Sequence, residues 1–240
     1  MRTMRIIGPG RVGRSLAAAL APVGWHVAPS LGRGDDRRAA AAGVDLLVIA
    51  TPDDAVGAVA AAVEPVPSTV VAHCSGAHTL EVLAPHPRRA SLHPLASLPD
   101  VETGAQRLRD RCAFATDGDP LVEVVVADLG GRAFRVQAQH RARYHAAAAI
   151  AANHLVALMG QVERVAAPAG VPLEAYLDLA RQTLDNVARL GAAGALTGPV
   201  ARGGPGDLAR HVAALDSSER PAYEAMADQA ARLLPVEARS

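Results

Sequence analysis

A doubly wound α/β domain with a mostly parallel sheet, followed by an all-α domain, is the fold this sequence predicts. Three observations predict it. The first half of the 240 residues alternates apolar, β-rich runs with Ala-rich helical stretches, the pattern of strand–helix–strand units. One run, Leu46–Ala50, is apolar at every position, as in a central strand covered on both faces. Beyond Ala138 the strand signals stop and helical patterns take over.

Taken in order, strands are expected at Arg5–Ile7, Trp25–Ala28, Asp45–Ala50, Thr69–Ala72, Arg89–Leu92, Arg111–Ala115 and Arg132–Val136. Asp54–Val63 and Pro120–Leu129 are among the helices between them. Gln139–Ala167 reads as one long helix, interrupted by Pro168 and Gly170. Pro172 suits the first turn of the next helix, which ends near Leu190. Gly191–Gly206 reads as a Gly/Pro-rich loop, before helices at Asp207–Leu215 and Arg220–Leu234. The domain boundary is placed at 137, giving domains 1–137 and 138–240.

Half the residues are hydrophobic and the formal net charge is zero. That supports a substantial core and gives no sign of nucleic-acid or membrane-surface binding. No apolar run reaches the roughly 18 residues that span a bilayer. The N-terminus leads into a strand without a signal-peptide layout, so a cytoplasmic location is expected. Cys74 and Cys112 are far apart and match no metal spacing. They are expected as buried thiols, and no metal site is expected. The chain has no lysine; all 24 basic side chains are arginine. That excludes a Schiff-base lysine, a P-loop lysine and a lysine general acid. A proton donor must then be His, Tyr, Asp, Glu, Cys or water.

Residues Gly8-Pro9-Gly10-Arg11-Val12-Gly13 read G-x-G-x-x-G between an apolar run and a helix-forming run. That setting is the Rossmann dinucleotide fingerprint. Gly8 permits the tight turn, Gly10 lets backbone approach a pyrophosphate, and Gly13 lets helix and strand pack closely. Backbone of Arg11, Val12 and Gly13 would open the helix whose N-terminus faces the phosphates. An ordinary strand–helix turn without a ligand is the alternative. Forms that bind NAD carry an acid about 20 residues further on. Here the second strand ends in Val27-Ala28-Pro29-Ser30-Leu31-Gly32-Arg33, with no acid at its tip. Ser30 and Arg33 could receive a 2′-phosphate, with Arg37 or Arg38 in reserve. NADP(H) is therefore expected over NAD(H), although these charges also suit a solvated loop. Asp35 and Asp36 could pair with Arg37 and Arg38.

Ligands bind beyond the carboxyl ends of strands in open α/β sheets. Thr51, after the third strand, is a candidate cofactor contact, whereas Asp53 reads better as a helix N-cap. Ser75, after the fourth strand, is a candidate contact near the nicotinamide. His93, after the fifth, is either a loop-fixing residue or a substrate contact.

GPGRVG, VDLLVIATPDDAV, HCSGAHTLEVL and SLHPLASLPD in the first half, with YHAAAAIAANHLVAL, TLDN and LTGPVARGG in the second, resemble the Rossmann-like DUF2520 proteins. That family is similar to pyrroline-5-carboxylate reductases, F420-dependent NADP reductases and 6-phosphogluconate dehydrogenase-like β-hydroxyacid dehydrogenases. Some members are alternative ketopantoate reductases. The resemblance implies an NADP-dependent reductase of a small molecule, with a helical domain that forms a homodimer. One position departs: after Gly203 the family usually has Asp, and this chain has Gly204 followed by Pro205. The task of that Asp is lost or moved to Asp207.

Reduction of a carbonyl needs a donor for the developing alkoxide and a holder for the substrate's acidic end. In the related β-hydroxyacid dehydrogenases a lysine and an asparagine face the substrate from a comparable helix. His145 stands at a position that looks equivalent to the lysine, and Asn153, eight residues on, would share its face of a regular helix. A His with an ordinary pKa near 6.5 can donate at neutral pH, though a lone His on an Ala-rich helix also suits a structural role. Tyr144 points about 100° away and is not expected to share that role. Arg202 is the candidate for a substrate carboxylate, or a plain surface arginine. Thr183 and Asn186, one turn apart, could line the same pocket or bridge two helices.

The expected function is an NADPH-dependent oxidoreductase of a small 2-oxo acid, with 2-dehydropantoate as the specific candidate. A cyclic imine reductase and a non-catalytic NADP-binding sensor are the alternatives.

Overall fold

The computed structural model describes residues 1–202 and 205–235. The chain divides into two compact units, Met1–Ala152 and Asn153–Ser240.

The first unit is a seven-stranded sheet with helices on both faces. Its strands are β1 (Arg2–Ile7), β2 (Trp25–Val27), β3 (Leu46–Ile49), β4 (Val70–His73), β5 (Arg89–Pro94), β6 (Ala113–Gly118) and β7 (Arg132–Arg135). Its helices are α1 (Arg11–Leu20), α2 (Asp53–Ala61), α3 (Val101–Arg109), α4 (Leu121–Asp128) and α5 (Arg141–Ala149). The order across the sheet is β2-β1-β3-β4-β5-β6-β7. Every pair is parallel except β5–β6. The mostly parallel doubly wound sheet predicted from the alternating runs is the one observed.

All four residues of β3 are buried, because β1 and β4 flank it and both sheet faces are covered. One core joins Met4, Ile6, Leu46 and Val48 to Leu16 and Leu20 of α1, Leu108 of α3 and Val122 and Val126 of α4. The other joins Ile7, Leu47, Ile49 and Val71 to Val56 and Val59 of α2 and to Leu83. The strands supply alternate residues to the two cores, as period-two side-chain alternation requires. The stretch between β2 and β3 forms no helix. It is held by Arg5 donating to the Ala40 carbonyl at 2.8 Å and by Thr69 Oγ1, whose one hydrogen is shared between the Ala41 and Val44 carbonyls, each 2.8 Å away.

The strand order reverses between β1 and β3, which makes that edge the ligand crevice of a doubly wound sheet. The turn after β1 is anchored there: the Gly8 amide donates to the Leu31 carbonyl at 2.9 Å, and the Leu31 amide to the Ile6 carbonyl at 2.8 Å.

The second unit contains α6 (Leu155–Ala166), α7 (Leu173–Ala195), α8 (Gly198–Arg202), α9 (Pro205–Ala214) and α10 (Arg220–Ala231). A bidentate Arg164–Glu219 pair, at 2.6 and 3.2 Å, ties α6 to the start of α10. The predicted helix over Gln139–Ala167 is not uniform. A 3-10 turn at Ala138–His140, α5, a π segment at Ile150–His154 and α6 follow one another. The predicted loop at Gly191–Gly206 is also corrected. Helix α7 runs to Ala195 with one non-helical residue at Gly191 (φ 73°, ψ 166°), and Gly198–Arg202 forms α8. The glycines that suggested a loop supply one kink, and Pro199 falls in the first turn of α8, where its missing N–H costs nothing. The compact division falls after Ala152, with α5 in the first unit, where Arg141 and Tyr144 bond Ser91 and His93 of β5. Gly204 lies outside the described residues. No helix among them is long and apolar enough to cross a membrane.

Candidate functional site

The glycine-rich turn opens the site. Gly8 has a φ of +96°, and a Cβ there would lie 2.7 Å from the Ala50 carbonyl oxygen. A Cβ at Gly13 would press on the Gly8 carbonyl and lie 2.9 Å from Ile6 Cγ2. These two glycines are required by the protein's own packing. Gly10 differs: a Cβ there would meet nothing within 4 Å. Gly10 is also the N-cap of α1, with no side-chain cap and no acid in the first turn. The first amides of α1, at Arg11, Val12 and Gly13, lack intrahelical acceptors by helix geometry, and the positive end of the helix dipole lies behind them beside the open space at Gly10. An anionic diphosphate fits this cradle, which no side chain of the turn occupies.

The loop after β2 completes that end. Arg37 Nη2 donates to the Gly32 and Arg33 carbonyls at 2.8 and 2.7 Å. Arg38 pairs with Asp36 at 3.2 Å, and Asp35 accepts from the Gly32 amide at 2.6 Å. These contacts fold the loop and commit both reserve arginines. Ser30 and Arg33 stay exposed, and Arg33 has no side-chain partner among the described residues. After β3, Thr51 Oγ1 is buried without a hydrogen-bond partner, a cost that a ligand would offset. Asp53 is the first residue of α2, and its N-cap is Pro52. The expected N-cap role is thus corrected: Asp53 and Asp54 complement the dipole from inside the first turn.

A cleft of about 380 Å³ continues from the turn, lined by Arg11 and Val12 of α1, Cys74, and His93 and Pro94 at the end of β5, among others. Desolvation raises the Cys74 thiol to about 12, so it is a neutral lining group and not a nucleophile. Cys74 and Cys112 form no disulfide. Ser75 Oγ accepts from the Ala77 and His78 amides, both at 3.1 Å. It therefore holds its own turn, and the Ser75 carbonyl accepts from Arg141 Nη2 at 2.8 Å.

Four side chains gather behind this turn. His93 Nδ1 and the Tyr144 hydroxyl are 2.7 Å apart. The His145 ring lies edge-on to His93, with centroids 5.9 Å apart. Arg141 is 1% exposed and reaches Ser91 Oγ at 2.7 Å as well as Ser75. A Cβ at Gly76 would lie 3.0 Å from both His145 Cδ2 and His93 Nε2, so the loop runs close against both rings. Burial, then the neighbouring His145 and Arg141 charges, hold His93 down at about 4. Burial pushes Tyr144 up to about 12. The half-buried His145 is thus brought beside the cleft's histidine. His73, one strand away and fully buried, is also held at about 4, by burial first and then by Arg141.

Sequence reasoning missed Arg141 and set Tyr144 aside. The signal was present: Arg141, Tyr144 and His145 stand at i, i+3 and i+4, one face of α5. Among the described residues no three His, Cys, Asp or Glu are grouped to hold a metal.

The candidates in the second unit are placed locally. Asn153 is exposed within the π segment, so the regular-helix spacing that put it on the face of His145 does not hold through that stretch. Arg202 is exposed at the end of α8. Thr183 Oγ1 donates back to the Leu179 carbonyl at 2.9 Å, and Asn186 accepts from Arg189 at 3.1 Å. Both are satisfied within α7 rather than in a pocket or across helices. Asp207 pairs with Arg210 in its own helix.

The fold is shared with solved structures over nearly the whole chain. A candidate NADP oxidoreductase from Bacteroides fragilis superposes with a TM-score of 0.78 at 16% identity, covering 96% of this chain and 98% of that one. A Thermotoga maritima protein gives 0.72 at 21% identity, with coverages of 96% and 97%. A reductive aminase from Aspergillus terreus, solved with NADPH4, cyclohexanone and allyl amine, gives 0.71 at 16% identity, with coverages of 97% and 94%. No curated protein sequence matches. Residues 113–230 match the family described as Domain of unknown function (DUF2520), the family that the sequence motifs resemble; the motifs of the first half precede that match. Residues 113–230 thus match the DUF2520 family, and the chain shares the fold of solved NAD(P)-dependent oxidoreductases.

Proposed function

We propose that this protein is a cytoplasmic NADPH-dependent oxidoreductase that reduces a small 2-oxo acid, with 2-dehydropantoate as the specific substrate, and that it acts as a homodimer through its helical unit. The observation that carries the reading is the open cradle at Gly10, continuous through Arg11 and Val12 with a cleft that ends at His93.

Bound NADPH would supply the hydride. The first amides of α1 bind its diphosphate, Arg33 and Ser30 hold the 2′-phosphate, and Thr51 Oγ1 gains the partner it lacks. His145 delivers a proton to the alkoxide oxygen, the role left to histidine in a chain without lysine. Arg11, Val12, Pro94 and the neutral Cys74 wall the cleft, and a site that sheds water strengthens each hydrogen bond made inside it. Asn153 and Arg202 keep the roles of carbonyl and carboxylate binding, supported by the family resemblance and by the chemistry of amide and guanidinium groups. Among the described residues the walls of the cleft contain no carboxylate, which favours a neutral carbonyl over the cationic iminium of an imine reductase.

The dimer rests on α7. It has no buried residue and exposes Leu179 (58%), Leu184 (53%) and Leu190 (50%). A long helix with no fully buried residue, and with these leucines exposed, needs another surface for its apolar side.

The test is NADPH consumption on addition of 2-dehydropantoate and a panel of 2-oxo acids and cyclic imines. Turnover of an oxo acid, reduced at least tenfold in His145→Ala, supports the proposal. Turnover of imines alone, little changed by His145→Ala, assigns the imine reaction. Binding of NADPH with no turnover assigns a sensor.

A further inference from the structure

Arg141 is the least explained side chain of the first unit. Its Nη2 makes two hydrogen bonds, to the Ser75 carbonyl and Ser91 Oγ, while Nε and Nη1 are buried and meet no acceptor. No carboxylate pairs with it among the described residues; Asp117, the acid nearest in effect, bonds Arg135 at 3.0 Å. A buried guanidinium without a counter-charge costs several kcal/mol, so packing alone does not account for it. Its effect on its surroundings is direct: it opposes a second positive charge on His93.

A neutral imidazole carries one ring proton, and the Tyr144 contact decides where. The Tyr144 hydroxyl has no polar partner among the described residues except His93 Nδ1. If Nδ1 carried the proton, the hydroxyl hydrogen would have no acceptor among the described residues. If the hydroxyl donates, that hydrogen is satisfied and the Arg141 charge favours negative character on the oxygen. The ring proton is then on Nε2. That atom has no partner among the described residues and belongs to a ring that lines the cleft. The charged and titratable groups around the ring are Arg141, Tyr144 and His145 from α5, Asp53 from α2, and Arg11 from α1 at the cleft wall.

We infer that His93 is a fixed Nε2–H donor to the substrate's carbonyl oxygen, with its tautomer set by Tyr144 and with Arg141 as the positioning residue that holds the Ser75–Gly76 turn against the ring. The inference rests on the proposed reductase reading, in which His93 polarises the carbonyl and His145 supplies the proton. A donor that cannot lose its alignment stabilises developing negative charge without reorganisation.

The test is nitrogen-15 NMR of the full chain labelled at histidine. His93→Gln identifies the His93 signals among the nine histidines. The expected wild-type ring has a bare Nδ1 and a protonated Nε2 at pH 7, and it stays neutral below pH 6. Tyr144→Phe should populate both tautomers. Arg141→Met should raise the titration midpoint only part of the way, because burial and His145 remain, and should loosen the Ser75–Gly76 turn; Arg141→Lys should restore the low midpoint if Arg141→Met folds poorly. A protonated Nδ1, or an ordinary titration in the wild type, overturns the inference. In the assay, His93→Phe should lower kcat at least tenfold with NADPH affinity unchanged; an unchanged kcat overturns the donor role. If the wild type turns over no oxo acid, the reductase reading and the donor role fall together. The NMR result still decides the tautomer, so the two failures are distinguishable.

Discussion

Gly10→Ala and Gly13→Ala separate a glycine required by a ligand from one required by the fold. A Cβ at Gly13 would press on the Gly8 carbonyl and approach Ile6 Cγ2 to 2.9 Å. Both neighbours are fixed in the turn and in β1, so α1 must shift outward. Overpacking of this kind costs about 1–3 kcal/mol. For a unit of this size that is a fall of roughly 2–10 °C in Tm. A Cβ at Gly10 meets nothing within 4 Å and its φ of −77° suits alanine, so the free protein should change by less than about 1 kcal/mol. The methyl would instead project where the diphosphate approaches. Tenfold weaker NADPH binding corresponds to about 1.4 kcal/mol. At a ligand concentration of 100 times the wild-type Kd, stabilisation would drop from about 2.7 kcal/mol to roughly half that. Thermal melts with and without NADPH read both quantities. The reasoning is refuted if Gly10→Ala lowers the ligand-free Tm as much as Gly13→Ala does, or keeps the full NADPH shift.

Three further outcomes are expected. Arg33→Ser should weaken NADPH by about 10–100-fold, the value of a charge-assisted hydrogen bond to phosphate, and leave NADH unchanged; calorimetric titration with both nucleotides checks it, and equal loss for both refutes the 2′-phosphate role. His73 is held at about 4 in the folded chain against 6.5 unfolded, so the unfolded state binds more protons between these values. Its contribution is complete above about pH 6.5 and is lost as pH falls toward 4, by up to about 3 kcal/mol; denaturant melts of the wild type and His73→Asn should diverge in slope over that window. Leu184→Arg on α7 should convert a dimer to a monomer in sedimentation velocity, and an already monomeric wild type at micromolar concentration contradicts the dimer.

The sheet was legible because its strands announce themselves locally. Leu46–Ala50 is wholly apolar, and Gly8, Gly10 and Gly13 mark the β1–α1 turn by their spacing between an apolar run and a helix-forming run. The antiparallel direction of β6 has no local signature; it depends on how the chain returns after α3. Arg141 escaped notice for the same reason. Its partners, Ser75 and Ser91, are 66 and 50 residues away in sequence. Gly191–Gly206 misled because Gly and Pro also kink and begin helices, as Gly191 and Pro199 do. Ser75 shows a role the sequence did not reveal: two amides of its own turn donate to the hydroxyl, whose own hydrogen stays available to a ligand.

In the proposed reaction a hydride passes from NADPH, held at Gly10, to the carbonyl carbon of a 2-oxo acid. NADPH deuterated at the transferring position, with mass spectrometry of the product, follows that hydride. One deuterium is expected on the carbon that carried the oxo group of 2-dehydropantoate or another 2-oxo acid. A nucleotide that binds and stabilises the protein, while every acid in the panel is recovered unlabelled and unreduced, would contradict it.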